Sequence, residues 1–399
     1  MPGHQSGRNI VVAYKEETTF GTAAGTSDGK KFRANTGKLT LAKEPIRSNE
    51  NRTDGMMTRG RHGSRSVSGQ FAADLSLGSY DDFIEAVLRG SFDAGLTITE
   101  ATSGGPSEIT TTTSTIVGNT GSWITVGLRV GDVIRLTGHS SSGNNGRNLR
   151  ITGLTSTTIT VAETLTLNAV ADTAFTISRP KKVIQGIEPR SFTVEENEVD
   201  IDGTKLSKGC RVGQMQLAMQ PNGMATLTFS LVGQDQEILT GSSAPYFSSP
   251  TETSSIGMTA VEAKIRLGSV DVLDVTALDL TINLNAAGQP VVGSNVTPDV
   301  FTNLANVEGS ITAMKTDMTN ATAFLNETEL SLHLLFTEND SEPKDFCSFF
   351  IGNLTLAGAD PSDLGADGPR TEQIPLMIGK DMRGGAYDPT MISYQTSAA

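Results

Sequence analysis

The first and last thirds of this chain carry one pattern written twice, and that duplication limits the fold more than any single motif does. In the first copy Leu39 and Leu41 alternate with polar residues, and a long polar loop follows. Val67-Ser-Gly69-Gln-Phe71-Ala-Ala-Asp74 then leads into Ser79-Tyr-Asp-Asp-Phe83-Ile-Glu-Ala-Val87-Leu88. In the second copy Leu278-Asp-Leu280-Thr-Ile282-Asn-Leu284 precedes a polar loop through Gly293 and Pro298. Val307-Glu-Gly309-Ser-Ile311-Thr-Ala-Met314 and Thr319-Asn-Ala-Thr-Ala-Phe324-Leu325 complete it. The two-residue period predicts strands with one apolar face each. A repeated unit of strands plus one short helix suits a part that tiles.

Composition narrows the class. The chain has 399 residues, 42 of them glycine, and is only 5% aromatic with long Thr and Ser runs, as strands joined by many turns require. That length predicts two or three domains, each burying its own core. No apolar run approaches the roughly 20 residues that span a bilayer, and Met1 to Arg8 lacks the apolar centre of a signal peptide. Assembly in a cytoplasm without a membrane partner is the expectation, and Cys210 and Cys347 then read as buried free thiols.

The net charge of −13 is unevenly spread. Lys30, Lys31, Arg33, Lys38, Lys43, Arg47, Arg52, Arg59, Arg61 and Arg65 make one stretch basic. Acids dominate from Glu262 onward, among them Asp271, Asp279, Glu308, Asp360, Asp363, Asp367 and Asp388. One face of a subunit can then attract the opposite face of an identical neighbour.

Between the copies the texture changes. Residues 97–178 are rich in Thr, Ser and Gly with short strand-like runs, predicting a small all-β module inserted into the first copy. The first fold then occupies 1–96 and 179–240, a Gly-Ser-Pro linker 241–256, and the second fold 257–399. The most distinct local element is a helix over Ser79 to Arg89. Ser79 is placed to cap it with Asp82 reaching back, and Phe83, Val87 and Leu88 form its packing stripe against a sheet. A weaker helix is expected near Ala321 to Leu325. Asn49 to Ser64 reads as a loop.

No catalytic constellation appears. His4, His62, His139 and His333 are scattered without ligand spacing, which leaves no metal or cofactor site, and His62 reads as a loop residue. No nucleophile elbow, phosphate loop or dinucleotide fingerprint is present. The Arg-rich loop lacks the interleaved aromatics of a single-strand binder and belongs to an acidic molecule. Its ordering against a neighbouring subunit is the better reading.

Three stretches resemble the tail tube (major tail) proteins of long, flexible-tailed bacteriophages. They are Val12-Ala-Tyr-Lys-Glu-Glu-Thr-Thr-Phe-Gly-Thr-Ala23, Leu39-Thr-Leu-Ala-Lys-Glu-Pro-Ile-Arg-Ser48, and Arg65-Ser-Val-Ser-Gly-Gln-Phe71 running on through Ala86. The resemblance implies a mainly β fold with short flanking helices: a duplicated β-sandwich or split barrel, here with the inserted module. It implies a structural, non-enzymatic virion protein whose subunits join edge to edge into rings that stack head to tail. Such a tube conducts double-stranded DNA and meets tape-measure, tail-tip and tail-terminator proteins. The loop carrying Arg52, Arg59, Arg61 and Arg65 is expected to reach the adjacent ring. Asp279 and Glu308, on polar strand faces, are candidates to line an acidic lumen along which a phosphate backbone slides. Tubes of this kind usually have six folds per ring, so a two-copy chain predicts a trimer with pseudo-sixfold symmetry, and a single-copy chain a hexamer. A β-sandwich adhesin, a contractile-tail tube and a tail polysaccharide-degrading enzyme are the rivals. The enzyme would need paired acids and several aromatics, against the single Trp123.

Overall fold

The computed structural model describes residues 4–338, 342–365 and 368–398, and Asp367 lies outside them. Its main strands are β1 (Ile10–Glu16), β2 (Thr36–Ile46), β3 (Arg61–Asp74), β4 (Phe192–Glu198), β5 (Gly203–Met219) and β6 (Thr226–Gly233). They continue as β7 (Val275–Asn283), β8 (Asn306–Met314), β9 (Leu330–Thr337), β10 (Phe346–Leu356), β11 (Asp360–Pro361) and β12 (Thr371–Ile378). Two short helices, α1 (Asp81–Leu88) and α2 (Thr319–Leu325), follow β3 and β8.

The protein is mainly β, antiparallel and duplicated. Strand order β2–β3–β6–β5 in the first copy recurs as β7–β8–β12–β10 in the second. The registers agree in detail. Leu39 faces Gly69 as Leu280 faces Gly309, and the bulge between Phe192 and Val194 returns between Leu330 and Leu332. Gly69 has to be glycine, since a Cβ there would stand 2.0 Å from the Lys38 carbonyl oxygen.

The expectation of a separate core for each copy gives way to a shared one. The C-terminal half of β5 pairs with β7, Gln214 opposite Asn283 through Met219 opposite Leu278. The two sheets therefore run on as one, and a single cluster of buried side chains extends from Tyr14 to Tyr394. Helix α1 seats Phe83, Ile84, Val87 and Leu88 in it. Phe83 stacks on Phe192 with ring centroids 4.9 Å apart and meets Tyr14 edge-on at 4.6 Å. Complete burial of such a ring contributes roughly 3 kcal/mol.

The predicted capping box is absent. Tyr80 occupies the N-cap position without a side-chain cap, while the Ser79 hydroxyl lies 2.5 Å from that of Thr253 and 2.8 Å from that of Ser76. Asp82 instead accepts hydrogen bonds from Lys30 Nζ at 2.6 Å and the Tyr14 hydroxyl at 3.1 Å. Contacts far along the chain have claimed both capping groups.

Strands from Leu96 to Arg179 form a separate eight-stranded sheet around Ile98, Trp123, Leu136, Ile151 and Phe175. This module docks on the second copy. Val133 packs with Leu335 and Phe346, and Arg150 bridges Glu163 at 2.7 Å and Asp271 at 2.8 Å. At the module's base Lys182 joins Asp132 at 2.5 Å and Asp388 at 2.8 Å. Segment 241–256 is not a loose tether. Phe247 is fully buried, and the backbone N–H groups of Tyr246 and Phe247 donate to the Glu195 carboxylate at 2.6 and 3.0 Å.

Candidate functional site

The most extended feature is a wall, the run β2–β3–β6–β5–β7–β8–β12–β11. Its residues alternate. Phe71, Phe229, Leu217, Leu280 and Ile311 turn into the core, and Gln70, Thr228, Gln216, Thr281 and Ser310 turn away from it. The outward face is therefore mostly hydroxyl and amide, a surface that hydrates well and offers little fixed charge. Asp279 and Glu308 both lie on it. Asp279 Oδ2 accepts a hydrogen bond from Gln216 Nε2 at 2.6 Å, whereas Glu308 is exposed and accepts one from Asn306 Nδ2 at 2.5 Å.

The Arg-rich segment differs from its expected form. β3 begins at Arg61, so Arg61, His62 and Arg65 are strand residues, and the connection shrinks to 47–60. The hairpin grows because Pro45 pairs with His62 and Ile46 with Arg61 beyond the last core contact. From Ala42 to His62 every residue is exposed, including Met56 and Met57 at the tip. Within this arm Arg52 pairs with Asp54 at 2.9 Å, and that hydrogen bond holds the Asp54 carboxyl below its ordinary range. Arg65 meets both oxygens of Asp235 at 3.2 Å. Arg52 and Arg65 thus brace their own chain, and Arg59 and Arg61 point from an exposed arm.

Among the described residues no group of three His, Cys, Asp or Glu side chains could hold a metal ion, and no helix is long and apolar enough to cross a membrane. Trp123 is buried with its Nε1 donating to the Thr157 carbonyl at 3.0 Å, which removes it as a sugar platform. Cys210 and Cys347 are buried free thiols, and burial pushes both well above the ordinary thiol range.

A family model described as phage tail tube protein matches residues 7–377. The chain belongs to the phage tail tube protein family. Comparison with curated proteins returns no match. The role of a tail tube protein, as a component of the virion tail, is structural. Sequence reasoning passed over one residue of the tail tube protein that reaches the edge of the wall from outside it. Glu196, on β4, is buried, and its Oε1 accepts the backbone N–H of Leu39 at 2.8 Å on the edge of β2. Its signal in the sequence is the acid pair Glu195-Glu196 directly after the alternating Phe192-Thr-Val194.

Proposed function

We propose that three chains close into a ring with pseudo-sixfold symmetry, and that rings stack head to tail into the conduit for the phage genome. The observation that carries this is the eight-strand wall, built of two like segments already joined through β5 and β7. Three chains supply about twenty-four strands, which at roughly 4.8 Å spacing and the usual strand tilt make a barrel some 40–50 Å across its backbone. Side chains on the inner face leave a channel wide enough for a DNA duplex. Closing the sheet also removes the unpaired edges that otherwise aggregate.

The polar face of the wall becomes the lumen in this arrangement. Hydroxyls and amides predominate on it, and acids such as Asp279, Glu308 and Asp360 outweigh Lys38 on the same face, which gives a phosphate backbone little to bind. The arm, with Arg59 and Arg61, reaches the next ring, and Arg52 and Arg65 keep it rigid. The inserted module lies against β9 and β10, away from the lumen face, and decorates the outside of the tube. The ends of the stack meet tape-measure, tail-tip and tail-terminator proteins, and assembly takes place in the host cytoplasm.

Negative-stain electron microscopy of the purified protein across concentration and salt tests this reading. Stacked rings with a central channel are the expected result. Compact monomers under every condition, tail-tip proteins included, would overturn it.

A further inference from the structure

The internal junction between the copies is a template for the junction between chains. It is made by the stretch Gln214 to Met219 of β5 against β7. Matching registers identify the equivalents at the two ends of the wall. β2 stands to β3 as β7 stands to β8, so Lys38, opposite Gln70, is the counterpart of Asp279, opposite Ser310. β11 stands to β12 as that stretch of β5 stands to β6. Asp360, opposite Gln373, is therefore the counterpart of Gln216, opposite Thr228. Among the described residues the outer edges of β2 and β11 have no strand partner.

We propose that β2 of one chain pairs with β11 of a second copy in the register of the internal junction, setting Lys38 against Asp360 across the joint. The proposal rests on the ring reading and names its contact. Inside the chain the equivalent positions hold the neutral-to-acid hydrogen bond from Gln216 to Asp279 at 2.6 Å. Between chains the same geometry presents opposite charges. Lys38 and Asp360 are both exposed, and neither lies within ion-pair distance of an opposite charge among the described residues, Lys38 having only the longer-range attraction of Glu196. The substitution also discriminates. β11 offered to a β7 would bring Asp360 to Asp279, and like charges across a joint are costly, so only a β2 edge is accepted and the copies alternate around the ring.

Both edges are guarded in the single chain. The Leu39 N–H points to the free side of β2, where its counterpart in β7, Leu280, faces β5. Glu196 satisfies it at 2.8 Å. The equivalent residue in the second copy, where the edge is already paired, is Leu334. On β11 the Ser362 N–H donates inward to the Thr371 carbonyl, so Pro361, which has no N–H, turns its nitrogen to the free side. An edge that lacks a donor and an edge whose donor is occupied resist unspecific strand addition. Pairing in the proposed register delivers the Pro361 carbonyl to Leu39 in place of the Glu196 carboxylate.

Thr40 and Asp360 face each other directly in this register, at a non-hydrogen-bonded position where Cα atoms lie about 4.5 Å apart, within disulfide range. In the full-length chain with Thr40→Cys and Asp360→Cys, oxidation of assembled tubes is expected to give covalently closed oligomers on non-reducing gels, with neither single variant doing so. In a second measurement Lys38→Asp and Asp360→Lys each raise the critical concentration for tube formation about tenfold at low salt. Together they restore it. Tubes that form normally with no cross-link and no charge-reversal effect would overturn this joint while leaving the tube reading intact. Failure of the unmodified chain to form tubes at all would overturn both.

Discussion

The two copies share a strand order and differ in what they leave uncovered. In the first, α1 drives Phe83, Val87 and Leu88 into an aromatic core, and the hairpin between β2 and β3 stands free as an arm. In the second, α2 buries none of its residues and exposes Leu325, while the loop after β7 folds back, its Asn295 carbonyl accepting the Arg65 N–H at 2.8 Å. In the proposed ring of three chains, two equal copies would offer six identical surfaces. Divergence has assigned stability and reach to one copy, and the seat for the inserted module to the other.

The helices give the largest test of that division. Phe83→Ala should cost about 3–5 kcal/mol in chemical denaturation, because the ring fills a close-packed site with no room to collapse. A cost near zero would break the assignment. The module's attachment comes next. Asp132 is buried between Lys182 and Arg179, and desolvation raises its carboxyl above the ordinary range. Asp132→Ala leaves Lys182 and Arg179 short of a partner and should cost about 3 kcal/mol, read as a lowered thermal midpoint.

The pH dependence of stability tests His333, which stands in the second copy where the first has Glu195. His333 is buried beside the Ser348 hydroxyl at 2.8 Å, and burial lowers its pKa to about 3. The folded chain holds the neutral ring while the unfolded chain takes up a proton below about pH 6.5, so stability is complete above that value and falls as pH drops toward 3. The loss should approach about 2 kcal/mol by pH 5. The His333→Leu variant should lack that part of the slope, measured as the change in thermal midpoint between pH 7 and pH 5. Smallest of all, Phe324→Ser and Leu325→Ser in α2 should shift the stability of the isolated chain by less than about 0.5 kcal/mol.

The legible parts of the fold were those written locally and twice. Alternation around Leu39, Phe71, Leu280 and Ile311 is a short-range signal, and the stripe from Phe83 to Leu88 is one helix face. What could not be read depends on residues brought together from afar. Ser79 leaves its cap for Thr253, 174 positions away, and Glu196 reaches a Leu39 N–H 157 positions away. The loop read at Asn49 to Ser64 gives way to a longer hairpin because pairing runs on through Pro45 opposite His62 and Ile46 opposite Arg61, and on an exposed hairpin edge a proline costs little. Of the candidate site, Asp279 and Glu308 could be set on a polar face by alternation alone. The roles of Arg52 and Arg65 turned on Asp54 and Asp235, and the Asp235 pairing is long-range.

The claim that one chain supplies two adjoining segments of a closed wall is tested most directly by helical reconstruction of assembled tubes by electron cryomicroscopy. Three chains per ring, with continuous strand pairing at alternating β5–β7 and β2–β11 joints, is the predicted result. Six chains per ring, or a gap in the strand ladder at every subunit boundary, would contradict it.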